Sequence, residues 1–264
     1  MWGLLAGALF SAPLAAQHVV HVAGAYFPPY AYKREQAPLH GLLPQLVSSL
    51  NQFQGEFRFV IVPTSIPRRY RDFAEGRIDL ALFENPAWTG WSSIAHSAID
   101  MGLEDAEVFV THVETGRDQR YFERLKGKRL ALFNGYHYAF ADFKTDPDYL
   151  NKTHNATVTY SHDSNLLMVM RRRADIALVT RSYIGDFLGR YRQYAGQLLV
   201  SERIDQFYQH HALLRPGAPI SAEHFSRLLE GLRERGVLER LFAPYQIVVR
   251  PAAAGSSAVT GAAD

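Results

Sequence analysis

The stretches Arg77-Ile78-Asp79-Leu80-Ala81-Leu82-Phe83 and Arg173-Ala174-Asp175-Ile176-Ala177-Leu178-Val179 share one pattern, an arginine and an aspartate followed by a short apolar run. An apolar run of this length, without alternating polar residues, is typical of a strand buried on both faces of a parallel sheet. The two occurrences predict two similar units, each built around such a strand.

Matching elements precede both strands. The paired candidates are the strands 19–23 and 129–133, the strands 57–62 and 157–160, and the helices 67–75 and 164–172. In the first unit, apolar residues between Leu43 and Leu50 follow helical spacing and predict one more helix. The order strand, loop, helix, strand, helix, strand therefore occurs twice, in about 18–85 and 128–180. Such alternation predicts an α/β protein whose lobes each contain a mostly parallel sheet flanked by helices.

Two further strand candidates connect these units. They lie at 106–113 and 209–214, and together they predict a two-stranded hinge. Ser221 then begins a helix, and Gly236 separates it from a shorter one. We expect the second crossing to return the chain to its first lobe. The domain boundaries are then 17–110 with 211–250 for lobe 1 and 111–210 for lobe 2.

The composition excludes several classes of protein. The 264 residues include 28 basic and 26 acidic side chains, and this near balance does not favour a nucleic-acid partner. There is no cysteine, which excludes disulfides, thiolate metal sites and lipid attachment through cysteine. The 11 histidines show no metal-ligand spacing, so we predict neither a metal nor a cofactor.

Both ends of the chain differ from its middle. Residues 1–16 carry no charge and include a short apolar run that ends in small residues, which predicts a cleaved signal peptide and export to the periplasm. The alternative is a buried N-terminal helix. The run is too short for a comfortable membrane span, so no stable membrane insertion is expected. Residues 251–264 are rich in Ala, Gly and Ser, and we expect a disordered tail there.

The order of these features resembles that of the family 3 extracytoplasmic solute-binding proteins, which serve amino-acid ABC importers. The resemblance extends over about 18–246 and rests on Tyr26-Phe27-Pro28-Pro29-Tyr30, Gly41, Gly76-Arg77-Ile78-Asp79, Leu125-Lys126-Gly127-Lys128-Arg129-Leu130-Ala131-Leu132 and Ala174-Asp175-Ile176-Ala177-Leu178. It implies the two-lobed periplasmic binding protein fold of type II, closing on a small solute in the cleft between lobes. Open α/β sheets in general bind ligands beyond the carboxyl ends of their strands.

Two departures from the family argue against an ordinary α-amino acid as ligand. Amino-acid-binding members usually carry an arginine after the first Gly-x-x-Asp strand, where it binds the ligand carboxylate. Here 84–91 contains no arginine, and the next one is Arg117. Such members also commonly place an aspartate after the corresponding strand of lobe 2 to hold the ammonium group. Here that strand continues into Thr180 and Arg181.

Candidate ligand-binding residues in lobe 1 follow its predicted strands. Tyr26 and Phe27 could stack on a ligand, and Arg69, at a helix start, could meet an anionic group. Glu84 is followed by Trp88 and Trp91, and a carboxylate beside two indole rings could hold a cation. The structural alternatives are aromatic packing of loops and lobes, and a solvated basic helix face.

Candidate residues in lobe 2 occupy the equivalent places. Tyr136 and His137 lie in a turn after a strand, where backbone N–H groups could cradle an oxyanion. Arg181 follows the next strand of this lobe. Combined with Arg69 and Glu84, these residues suggest a small polar or charged organic solute.

Three functions fit these expectations. The first is a monomeric periplasmic protein that binds a small molecule and delivers it to the permease of an ABC transporter. The second is an enzyme on the same scaffold, resembling a dehydratase, with Glu84 or His137 as an acid or base. The third is a sensory partner of a membrane receptor. We favour the first and predict no catalytic residues, since no nucleophile motif occurs.

Overall fold

A computed structural model describes residues 17–34, 37–88 and 90–251 of the chain. The signal peptide expected over 1–16 lies outside the described residues, as does the expected tail apart from Pro251. In the described part of the chain, no helix combines the length and apolar character needed to cross a membrane.

The chain alternates strands and helices, as the repeated pattern predicts. The strands are β1 (His18–Gly24), β2 (Tyr32–Arg34), β3 (Ala37–His40), β4 (Phe57–Pro63), β5 (Leu80–Glu84), β6 (Ser97–His112), β7 (Leu130–Phe133), β8 (Ala156–Thr159), β9 (Ile176–Thr180), β10 (Leu198–Leu214) and β11 (Val248–Val249). The helices are α1 (Leu42–Phe53), α2 (Arg69–Ala74), α3 (Pro147–His154), α4 (His162–Met170), α5 (Arg181–Arg190), α6 (Ala222–Glu234) and α7 (Val237–Phe242). The predicted N-cap of α6 is present, since the Ser221 hydroxyl accepts from the His224 N–H at 3.2 Å.

One sheet extends through both halves of the molecule. Its strand order is β4-β1-β5-β10-β6-β9-β7-β8, with β11 beside β6. The outer strands are parallel within each half: β1 pairs with β4 and β5, and β7 pairs with β8 and β9. The two central strands, β6 and β10, are antiparallel to each other and to their neighbours β9 and β5.

Separate hydrophobic cores lie in the two halves. The first half has a main core of residues from β1, β4 and β5 together with α1, α6 and α7, and a smaller one around Phe73 and Trp91. The second half has one core on each face of its sheet, formed around α4 and α5 on one side and around β7 and β8 on the other. Burial of these apolar side chains is the main stabilising term in each half. We call the halves lobe 1 and lobe 2, and the predicted two-lobed α/β architecture is confirmed.

The two central strands are longer than the sequence predicts, and each contributes to both lobes. On β6, Leu103 packs in the core of lobe 1, whereas Ala106 packs in a core of lobe 2. On β10, Ala212 belongs to the core of lobe 1, and Val200 packs against a core of lobe 2. The two lobes therefore share a continuous pair of strands, and the boundaries proposed from sequence remain a prediction.

Candidate functional site

A cavity lies between the lobes, at the carboxyl ends of the parallel strands. It is lined by Ala23, Ala25, Phe27, Tyr30, Ala31, Leu43, Ile66, Arg69, Leu82, Phe83, Glu84, Trp88, Gly135, Tyr136, His137 and Tyr208. Most of these residues follow β1, β4, β5 or β7, and this is where open α/β sheets bind their ligands. Its volume is about 50 Å³. Since one water needs on the order of 10–15 Å³, the cavity has room for a few waters while the lobes are this close.

The two charged side chains that line the cavity are paired with each other. Arg69 donates from Nη2 to Glu84 Oε2 at 3.1 Å, and its Nε lies 2.7 Å from Glu84 Oε1. Both side chains are nearly inaccessible, at 5% and 8% exposure. Arg69 also donates to the Ile66 carbonyl at 2.5 Å and to the Tyr70 hydroxyl at 3.0 Å. The guanidinium and the carboxylate therefore neutralise each other within lobe 1.

A second donor completes the surroundings of Glu84. Trp91 Nε1 donates to Glu84 Oε2 at 2.9 Å, and Trp91 is fully buried against Tyr70 and Phe73. Trp91 therefore acts on the cavity through Glu84, because it does not line the cavity itself.

The lobes touch across the cavity through aromatic rings. Trp88 of lobe 1 stacks on His137 of lobe 2, with ring centroids 5.4 Å apart and planes 9° apart. With its amide oriented to satisfy both atoms, Gln206 of β10 donates to the His137 carbonyl at 2.6 Å and accepts from Trp88 Nε1 at 3.3 Å. Phe27 meets Tyr136 edge-on, at 5.4 Å between centroids. These contacts join the two lobes across the cavity.

Burial keeps His137 uncharged. Loss of solvent and, to a smaller extent, the nearby Arg69 cation lower the pKa of His137 to about 4. At neutral pH the imidazole is therefore neutral, and it stacks on Trp88 as an uncharged ring.

A buried hydrogen-bond network lies at the hinge, behind Tyr30. The Tyr30 hydroxyl donates to Asp105 Oδ2 at 2.9 Å and lies 2.6 Å from His210 Nε2. Asp105 also accepts from the Ser182 hydroxyl at 2.5 Å and from the Ala106 N–H at 2.8 Å. The network joins the loop after β1 to both central strands and to the start of α5, so it ties lobe 1 to lobe 2.

Glu107, the next inward residue on β6, lies beneath the cavity. It is fully buried, and its Oε2 accepts from the hydroxyl of Tyr208 at 3.0 Å. Burial raises the pKa of Glu107 well above its usual range. Its other oxygen, Oε1, has no partner among the described residues.

The structure brings together six of the nine candidate ligand-binding residues. Those that line the cavity are Phe27, Arg69, Glu84, Trp88, Tyr136 and His137. Three do not. Tyr26 stacks on Phe133 of lobe 2, Trp91 is buried behind Glu84, and Arg181 begins α5 outside the lining residues.

Sequence reasoning missed other lining residues. Tyr208 comes from the middle of β10, a part of the strand that the sequence did not identify. Ile66 and Phe83 also line the cavity. Phe83 has a φ of 62°, a conformation that is rare for a bulky residue and that no sequence pattern indicates. Only a longer strand, predicted from Leu198 onward, could have identified Tyr208 as a lining residue from the sequence.

The described residues contain no cluster of His, Asp or Glu side chains suited to a metal ion. Chemically, the cavity offers aromatic surfaces, a neutral imidazole and an internally paired arginine. Such a site can bind a small molecule by stacking and by shape.

No protein-family model and no curated protein sequence matches the chain. Several solved structures do match in fold. The substrate-binding protein of an ABC uptake transporter from Streptococcus pneumoniae, with bound histidine, is 16% identical at a TM-score of 0.65, over 86% of this chain and 92% of that chain. A histidine kinase sensor domain with similarity to periplasmic binding proteins is 16% identical at a TM-score of 0.65, over 89% and 99%.

A third structure with the same fold is an ancestral amino-acid-binding protein described as a precursor of cyclohexadienyl dehydratase. It is 14% identical at a TM-score of 0.61, over 86% of this chain and 94% of that chain. Identities this low establish architecture alone. The chain has the two-lobed fold of the extracytoplasmic solute-binding proteins.

Proposed function

We propose that the protein binds a small organic solute in the cavity between its lobes and delivers it to an ABC importer. The observation that carries this proposal is the position of the cavity, which lies between two lobes joined by two continuous strands. Solute binds one lobe first, and closure of the second lobe then surrounds it. The location we propose is the periplasm, with the chain acting as a monomer.

The ligand we propose is not a standard α-amino acid. Such a ligand brings a carboxylate and an ammonium group, and both need partners of opposite charge when they are buried. The lining residues of the described chain supply Arg69 and Glu84, but these already neutralise each other at 2.7–3.1 Å. The pairing also weakens the case for a charged solute, one of the two kinds, polar or charged, that the sequence suggested.

Sensing is the second candidate function. It is favoured by the likeness in fold to a histidine kinase sensor domain, at a TM-score of 0.65. The same closure of the lobes would then report occupancy to a membrane receptor. Catalysis is a weaker alternative, for which His137 is the group at the cavity able to exchange a proton near its pKa of about 4.

A thermal-shift screen of the purified protein tests binding. The library should contain amino acids, polyamines, organic acids, sugars and neutral ring compounds. A ligand at 100 times its Kd adds about 2.7 kcal/mol to the stability of the folded state. Trp88→Ala should abolish the shift, whereas Tyr160→Ala, at a side chain that is 75% exposed, should leave it intact. A broad library without any stabilising compound would refute the proposal, and turnover of a hit would establish an enzyme instead.

A further inference from the structure

The charges around the cavity cancel, and this identifies a class of ligand. Arg69 and Glu84 form a closed pair, and the Trp91 indole supplies another donor to the carboxylate. The remaining lining side chains that carry polar groups are three tyrosines, a tryptophan and a histidine. In the residues that the structure describes, the cavity therefore presents no charged side chain that lacks a partner.

The three tyrosine hydroxyls are also engaged within the protein. Tyr30 donates to Asp105 at 2.9 Å, Tyr208 donates to Glu107 at 3.0 Å, and Tyr136 lies 3.1 Å from His162 Nε2. Each ring thus turns its hydroxyl toward the protein and its carbon surface toward the cavity. Stacking and shape, rather than ion pairing, are what these rings offer to a ligand.

Burial shifts two nearby ionisable groups toward their uncharged forms. Burial holds His137 in its neutral form, and it favours the protonated form of Glu107 beneath Tyr208. No partner for the ring nitrogens of His137 occurs in the described parts of the chain. One of these nitrogens can therefore form a hydrogen bond with a ligand.

We infer that the cavity selects an uncharged, planar compound of single-ring size with one hydrogen-bonding group. This inference rests on the proposed function and specifies its ligand. A charged solute entering the cavity would lose its hydration without gaining a counter-ion, because Arg69 and Glu84 are already committed to each other. With the lobes as close as they are here, the cavity of about 50 Å³ favours a single ring over a larger solute.

Four benzyl compounds test the selection in the wild-type protein, since they share a ring and differ in charge. They are benzyl alcohol, benzylamine, phenylacetate and L-phenylalanine, with affinities measured by calorimetry or ligand-observed NMR. We expect benzyl alcohol to bind at least tenfold more tightly than each charged compound. A charged member that binds as tightly as benzyl alcohol, or more tightly, overturns the inference.

The broad library separates failure of this inference from failure of the proposed function. If its tightest ligand is a charged solute, the inference is wrong and the binding function stands. If its tightest ligand is an uncharged ring compound, the inference is supported even where benzyl alcohol itself fails. If no compound binds, the proposed function fails and the inference fails with it.

The substitution Glu84→Gln tests the same selection from the side of the protein. Glutamine keeps an oxygen that can accept from Trp91 but removes the charge that neutralises Arg69. The preference for phenylacetate over benzyl alcohol should rise at least tenfold. Glu75→Gln is the control, because it removes the same charge from a side chain that is 65% exposed. An unchanged preference in folded Glu84→Gln protein contradicts the inference, and the wild-type comparison decides alone if that variant does not fold.

Discussion

Replacing Arg69 with methionine should destabilise the protein by about 3–5 kcal/mol, because it leaves a buried carboxylate without its cation. Glu84 is 8% exposed, and its contacts to Arg69 are 2.7 and 3.1 Å long. After the change, Glu84 keeps one side-chain hydrogen-bond donor among the described residues, Trp91 Nε1 at 2.9 Å. Methionine replaces most of the arginine stem, so loss of packing adds little. The variant also loses the guanidinium that lies 4.4 Å from the centre of the Tyr70 ring.

Urea unfolding of a double-mutant cycle measures this pair directly. Glu84→Gln in the Arg69→Met background should recover part of the loss, since it removes the stranded charge. We expect a coupling energy between the two sites of about 0.5–3 kcal/mol. Arg71→Met is the control: its partner Glu75 lies 3.9 Å away, both side chains are 65% exposed, and such pairs contribute at most about 1 kcal/mol. Arg69→Met within about 1 kcal/mol of wild type, or additive single changes, would refute the buried pair.

Three further predictions concern the cleft and the hinge. Trp88→Ala removes the stack on His137, so the lobes should separate more often, and small-angle scattering should show a larger radius of gyration than for Tyr160→Ala; equal radii would contradict this. Glu107 has a raised pKa when folded, so the native state holds its proton more firmly, and the contribution of Glu107 to wild-type stability falls as pH rises above about 4.3. Glu107→Gln should therefore gain stability relative to wild type as pH rises from about 5 toward the folded pKa of Glu107, as measured in urea titrations, and a pH-independent difference would argue against it. Asp105→Asn should cost about 1.5–3 kcal/mol by calorimetry, since a buried carboxylate loses charge-assisted hydrogen bonds, and an unchanged melting temperature would exclude that network.

The alternation of strands and helices was predictable because the core strands β5 and β9 consist mainly of short apolar runs that repeat one pattern. Leu80–Glu84 and Ile176–Thr180 are strands with every residue buried, as the duplicated pattern predicts. The helix after Ser221 begins where its capping side chain and apolar stripe place it. In these segments local propensity, periodicity and tertiary burial agree, so the sequence alone was sufficient to predict the strands and the helix.

The central strands were underestimated because charged residues interrupt their apolar pattern. Predictions of 106–113 and 209–214 compare with observed strands at 97–112 and 198–214. On the first of them, Asp100 and Glu104 both form ion pairs with Arg250, near the other end of the described chain. A partner that distant in sequence cannot be recognised from a local window, although it makes the charges compatible with a strand.

The site shows the same limit at a finer scale. Strand order placed the loops after β1, β4, β5 and β7 at one edge, and this was sufficient to bring six candidate residues to one cavity. The charged residues, however, were each considered separately, without regard to ion pairs between them. Arg69 and Glu84 were each assigned to a ligand, whereas they are 15 positions apart and satisfy each other. The sequence shows how many charged residues a cleft contains. The net charge that the cleft presents to a ligand depends on which of these side chains form ion pairs with one another. In this cleft the charge left unpaired is close to zero, and we expect it to determine which ligands the protein binds.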